Sequence, residues 1–130
     1  MNILITNDDG IDAPGISVLA RAAAKFGAVT VVAPAEQCSA MSHRITLSRR
    51  MRIEKRELDI PGVAAYALDG TPADCVKAAL DAILPQKPDV VLSGINNGYN
   101  VGFDVAYSGT VGAAMEAVMS GISAIALSQN

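Results

Sequence analysis

Four apolar runs punctuate the chain: NILIT (2–6), AVTVVAP (28–34), PDVVLSG (88–94) and ISAIALS (122–128). They are short, β-branched-rich and without polar alternation, which predicts strands buried on both faces. Between them apolar residues recur at helical spacing. APGISVLARAAAKFG (13–27) puts Ile16, Leu19, Ala20, Ala23 and Phe26 on one face, with Pro14 in the first turn and Gly27 as the stop. GTPADCVKAALDAIL (70–84) opens with Thr71 as N-cap, Pro72 at the first helical position and Asp74 near the positive helix end. Val76, Ala79, Leu80 and Ile83 form its apolar face. TVGAAMEAVMSG (110–121) predicts a helix of small residues.

Three stretches interrupt this alternation. Residues 35–48 are polar and irregular. Residues 49–68 hold the basic cluster and predict an antiparallel excursion, 51–56 against 63–68, turning near DIPG. A Gly/Asn-rich loop spans 94–109. Strand and helix otherwise alternate, which predicts an α/β, Rossmann-like three-layer sandwich with a mostly parallel sheet and a small antiparallel excursion. Residues 1–130 are expected to form one domain. Loops 7–12, 34–44 and 94–109 each follow a strand, so all three are expected to converge at the carboxyl edge of the sheet, where open α/β folds bind ligands.

Composition narrows the function. The 130 residues are 51% hydrophobic and carry a net charge of −3, so no basic footprint points to DNA or RNA. Aromatic residues are 4%, with no Trp, so Ala, Val, Ile and Gly must fill a tightly packed core. No apolar run approaches the ~20 residues of a membrane helix. Cys38 and Cys75 form no CxxC pair and read as reduced thiols, and the chain starts directly in a strand, so a cytoplasmic location without a targeting segment is expected.

The candidate chemistry lies in the loops. Asp8 and Asp9 stand side by side after the first strand and before Gly10. Burying either charge is costly unless it is paired. Two readings remain open: a solvated turn in which an Asx side chain caps the backbone, or a site for a hard cation. Mg²⁺ and Mn²⁺ both take oxygen ligands; zinc fits poorly, because His43 is the only His and the two Cys are isolated. SGINNGYN (93–100) offers the Asn96 and Asn97 amides, or is simply a Gly/Asn turn. YSGTVGAA (107–114) runs into a helix. Its amides, with the Ser108 and Thr110 hydroxyls, would either hold a phosphate or merely cap the helix. No Lys or Arg follows Lys87, so an anion here would rely on metal, backbone N–H groups and hydroxyls. Ser39 and His43, taken singly, are ordinary loop residues.

Other chemistries lack their motifs. There is no GxxxxGK[ST] and no GxSxG elbow, and GTVGAA (109–114) only partly echoes GxGxxG. A phosphoacceptor receiver domain would need an Asp after its third strand and a Lys after its fifth. Asp59 sits in the DIPG turn instead. A sugar-binding or glycosyl-transfer Rossmann protein is a more distant possibility.

Taken together, NDDG with APGI (7–16), VVAP followed by Ser39 and RITL (44–47), GTPADCV (70–76), PDVVLSGIN (88–96), NVGFDVAYSGTVGAAMEA (100–117) and GISAIALS (121–128) closely resemble the stationary-phase survival protein family, the SurE-type nucleotidases. The resemblance covers essentially the whole chain but only the N-terminal half of a usual member, so the 130 residues are expected to be the core of a longer protein. It implies a divalent-metal-dependent phosphatase acting on nucleoside 5'-monophosphates by attack of an activated water. Asp8, Asp9, Ser39 and Asn96 would hold Mg²⁺ or Mn²⁺. Asp9 would also orient the water, and Asn96, Ser108, Gly109 and Thr110 would adjoin the phosphate. It further implies a homodimer or homotetramer for the full-length protein. Where the family often has Ser-Gly, this chain has Ser39-Ala40. The alternative is a catalytically silent nucleotide- or phosphate-binding module.

Overall fold

A computed structural model describes all 130 residues. Strands β1 (Asn2–Thr6), β2 (Ala28–Pro34), β3 (Ile53–Arg56), β4 (Ala64–Leu68), β5 (Val90–Asn97) and β6 (Ser123–Gln129) form one sheet in the order β3-β4-β2-β1-β5-β6. Every neighbouring pair is parallel except β3 with β4. The antiparallel excursion is therefore confined to β3. Its return strand β4 pairs in parallel with β2 and is an interior strand of the sheet.

Helix α1 (Pro14–Ala23) covers one face; α2 (Pro72–Ala78), prolonged by a π turn over Ala79–Ile83, and α4 (Gly109–Met119) cover the other. The strands supply both cores by alternation. Ile3 and Ile5 pack towards Ile16, Leu19, Ala20 and Ala23, whereas Leu4 packs towards Cys75, Val76, Ala113 and Ala117. The result is the expected three-layer α/β sandwich. Helix α2 starts with a reciprocal capping box between Thr71 and Asp74.

Four expectations need correction. Helix α1 ends at Ala23 rather than at Gly27, and Phe26 is 70% exposed. The chain must turn early, because Gly27 lies against Met1: a Cβ there would fall 2.1 Å from the Met1 carbonyl oxygen. Strand β5 runs on through Asn97, so Asn96 and Asn97 belong to a strand and not to a loop; they pair with Ser128 and Gln129 after a register shift. The following segment holds a short helix, α3 (Asp104–Tyr107). Finally, β6 is the sheet's edge and is not a buried strand: Ile125 is 53% exposed, because α4 packs on one side of it and α1 does not reach the other.

Candidate functional site

The acid pair sits at the carboxyl end of β1. Asn7 closes a tight turn there: its amide donates to the Gly10 carbonyl (2.8 Å) and accepts from the Gly10 N–H (3.2 Å). This Asx geometry belongs to Asn7, which leaves Asp8 and Asp9 free for other partners. Asp8 is 6% exposed and accepts a hydrogen bond from the Thr110 hydroxyl at 2.8 Å. Gly109 presses against the same carboxylate. A Cβ on Gly109 would lie 3.0 Å from the Asp8 Cβ and 3.1 Å from Pro72. Asp9 is half-buried and accepts from the Asn97 N–H at 2.9 Å.

The second loop reaches the acid pair through its backbone. The Cys38 N–H donates to the Asp8 carbonyl at 2.7 Å, and Ser39 is the next residue. Ser39 itself is exposed, and its hydroxyl makes no hydrogen bond to either carboxylate. Asn96 is half-buried; its Nδ2 donates to the Gly98 carbonyl (2.8 Å), which fixes the amide and leaves Oδ1 without an internal partner. All three loops thus meet at Asp8 and Asp9. A cleft of about 420 Å³ opens beside Asp9 between Gln37, Pro14, Asn96 and Asn97. A second cavity, about 600 Å³, lies between the 35–49 loop and Leu68–Thr71, with Cys38 in its wall, and includes neither acid.

At the start of α4 the hydroxyls have internal duties. Ser108 Oγ accepts from the Val111 N–H (3.2 Å) as the helix cap, which keeps its own O–H available. The Thr110 hydroxyl is committed to Asp8. Ser108 thus takes the capping role, one of the two the sequence left open, and Thr110 turns both its hydroxyl and its backbone N–H to Asp8.

Electrostatics at the pair are unbalanced. Burial pushes the Asp8 carboxyl above its ordinary range and the neighbouring Asp9 adds to this, while the Thr110 hydroxyl and nearby amides pull the other way. Neither acid forms an ion pair with any Lys, Arg or His. A divalent cation fits this donor set. Two carboxylates, one hydroxyl and one fixed amide oxygen are hard ligands, and the positive charge would offset the burial of Asp8. The thiols are poor candidates for chemistry: burial raises Cys38 and holds Cys75 well above its usual range.

Asn97 takes part through its backbone N–H, which holds Asp9, and not through its side-chain amide. One group has no place in the loop motifs. Glu116 lies on the buried side of α4 and is 9% exposed, bound to His43 Nε2 at 2.6 Å. The signal for Glu116 was present in the sequence, as a lone acid flanked by Ala113 and Ala117 on an otherwise apolar helix face.

The family model described as Survival protein SurE matches residues 3–130. The chain is 52% identical over 129 residues to the 5'-nucleotidase SurE of Pelobacter propionicus, covering 98% of this chain and 50% of that protein. It is 55% identical over 130 residues to the 5'-nucleotidase SurE of Prochlorococcus marinus, covering 98% and 48%. The crystal structure of the SurE protein from Aquifex aeolicus superposes with a TM-score of 0.87 at 44% identity, over 98% of this chain and 50% of that one. The chain spans about half the length of the relatives it matches. On the family match over residues 3–130 and the shared fold, this chain belongs to the SurE survival-protein family.

Proposed function

We propose that the chain carries the catalytic core of a divalent-metal-dependent phosphatase that hydrolyses nucleoside 5'-monophosphates. The observation that carries this reading is the contact between buried Asp8 and the start of α4. A buried carboxylate with no basic partner accepts from Thr110 at the first turn of a helix, the kind of place where anions bind. A phosphate bound there would stand beside the Asp8 carboxylate, and a cation between the two would offset their repulsion. The cleft beside Asp9 is within the size range of small-ligand sites.

Asp8, Asp9, Ser39 and Asn96 would hold Mg²⁺ or Mn²⁺. When bound, the ion supplies a Lewis acid for a phosphate oxygen and acidifies water. The chain's own groups do the rest. Asp9, with one carboxylate oxygen held by the Asn97 N–H, would orient the attacking water with the other, and the proton that water releases is balanced by the one the departing ribose oxygen takes up from solvent. The water enters in line with the departing ribose oxygen. The Gly109 amide and the Ser108 O–H would stabilise charge on the equatorial oxygens, while Thr110 holds Asp8 in place. No covalent phospho-enzyme is needed.

Location and assembly belong to the same proposal. No helix is long and apolar enough to cross a membrane, and both cysteines are free, which supports a reducing, cytoplasmic setting. Exposed Met115, Val118 and Met119 on α4 support a homodimer or homotetramer of the longer protein. The net charge of −3 gives no support to DNA binding.

The test is phosphate release from a panel of nucleoside monophosphates, with and without Mg²⁺ or Mn²⁺, by the wild-type chain and Asp9→Asn. Metal-dependent turnover that drops by about 10²–10⁴-fold in the variant is expected. Turnover that ignores both metal and the substitution would refute the mechanism. Nucleotide binding without turnover would favour the silent binding module.

A further inference from the structure

Glu116 sits away from the acid pair, yet it is among the most constrained carboxylates in the protein. Its Oε2 meets His43 Nε2 at 2.6 Å and its Oε1 lies 3.8 Å from Lys77 Nζ of α2. His43 belongs to the 35–48 loop, and three further contacts fix the same point of that loop. The Ser42 N–H donates to the Tyr107 carbonyl (2.9 Å) and the Ser42 hydroxyl to the Ala106 carbonyl (2.7 Å). Gly112, one turn before Glu116, has no side chain, and the Ser42 carbonyl occupies that space: a Cβ would fall 2.2 Å from its oxygen and 3.0 Å from the His43 Cα.

At its other end the loop is tied by the Cys38 N–H to the Asp8 carbonyl. Ser39, Ala40 and Met41 bridge the two anchors. Ala40 and Ser42 both have left-handed backbones, with φ of 56° and 52°. A bridge of three residues between two fixed points has few conformations. The position of the Ser39 hydroxyl is therefore set by the anchors, since no side-chain bond of its own holds it.

We propose that Glu116, acting through His43, is a positioning residue that places the Ser39 hydroxyl for cation binding. Neither Glu116 nor His43 touches the phosphate or the cation in this scheme. The proposal rests on the assignment of Ser39 as a ligand made above. It gives His43 a role without making it a catalyst, and it explains a charged residue on the apolar face of α4. Lys77 is the one further charged group paired with Glu116, and no other pairs with His43.

The experiment is direct Mn²⁺ titration by electron paramagnetic resonance, without substrate, on a double-substitution cycle of His43→Ala and Ser39→Ala. Each single variant is expected to weaken Mn²⁺ binding about tenfold, the lower end of what outer-shell changes cost. The double variant is expected to bind no worse than Ser39→Ala alone, because His43 acts only through that hydroxyl. Glu116→Gln, which keeps an acceptor for His43, is expected to stay within about threefold of wild type, and Glu116→Ala to lose about tenfold. If Ser39→Ala weakens binding while His43→Ala does not, or if the two losses add in full, the positioning role is overturned and the metal site survives. If Ser39→Ala leaves binding unchanged, or the wild-type chain binds no Mn²⁺, the ligand assignment fails and the positioning role falls with it. Should His43→Ala fail to fold, His43→Asn in the same cycle reads the same coupling.

Discussion

Replacing a glycine inside a helix by alanine ordinarily stabilises a protein by about 1 kcal/mol. At Gly112 of α4 the opposite is expected. The new Cβ would stand 2.2 Å from the Ser42 carbonyl oxygen, where ordinary contact begins near 3.4 Å. The obstacle is backbone, so residues 42–43 must retreat by about 1 Å. Such a retreat stretches three hydrogen bonds past useful length: His43 to Glu116 at 2.6 Å, Ser42 N–H to Tyr107 at 2.9 Å and Ser42 hydroxyl to Ala106 at 2.7 Å. At about 1 kcal/mol each, and more for the one to a carboxylate, their loss costs about 3 kcal/mol. The helix gain offsets roughly a third of this, leaving a net loss of about 2 kcal/mol. For a chain of this size 1 kcal/mol moves Tm by about 4 °C, so Gly112→Ala should melt about 8 °C lower by calorimetry. A Tm unchanged or raised by a few degrees would mean that the loop yields freely. The picture of a rigid Ser39 bridge would then be wrong.

Asp8→Asn should raise the stability of the metal-free protein by about 1 kcal/mol at pH 7, because it removes a buried charge and keeps an acceptor for Thr110. The raised Asp8 pKa fixes the sign: the stability from protonated Asp8 is complete below about pH 3.9 and is lost as pH rises through the folded value. The Tm gap between variant and wild type should therefore close on acidification, and addition of Mn²⁺ should reverse it. Asp74 runs the other way. Burial opposes its charge, but bonds from Thr46 and Thr71 outweigh burial and lower its pKa. Asp74→Asn should cost about 1–3 kcal/mol in urea denaturation at neutral pH. That loss should shrink below about pH 3.9, as wild-type Asp74 protonates through its lowered folded value. Ala40→Gly should relieve a left-handed alanine and raise Tm by about 2–4 °C.

The periodic parts of the fold were legible because local pattern and tertiary role agree. Ile16, Leu19, Ala20 and Ala23 face the core as their spacing requires, and Thr71 and Asp74 cap α2 as their order requires. Phe26 continues the same period yet lies in water, because the close approach of Gly27 to Met1 is a contact between distant residues. Asn96 looked like loop for a related reason: only its pairing with Ser128 makes it strand. The apolar run of β6 was indistinguishable from a covered strand, since sheet order is not written in a single run. At the site, the loops and Asp8 could be named from sequence. That Thr110 would turn its hydroxyl to Asp8, 102 residues earlier in the chain, could not.

The two rims of the sheet differ in kind, and the difference limits how copies of this chain can stack. On the β3 rim, Arg52, Glu54 and Arg56 form ion pairs along the strand, and charged side chains of this kind discourage another strand from adding. SAIALSQ on the β6 rim carries no charge at all. Edge-to-edge growth thus has one permissive end. Any strand that extends this sheet, from the same protein or another copy, therefore adds beside β6, where no charge stands in the way, and not beside β3.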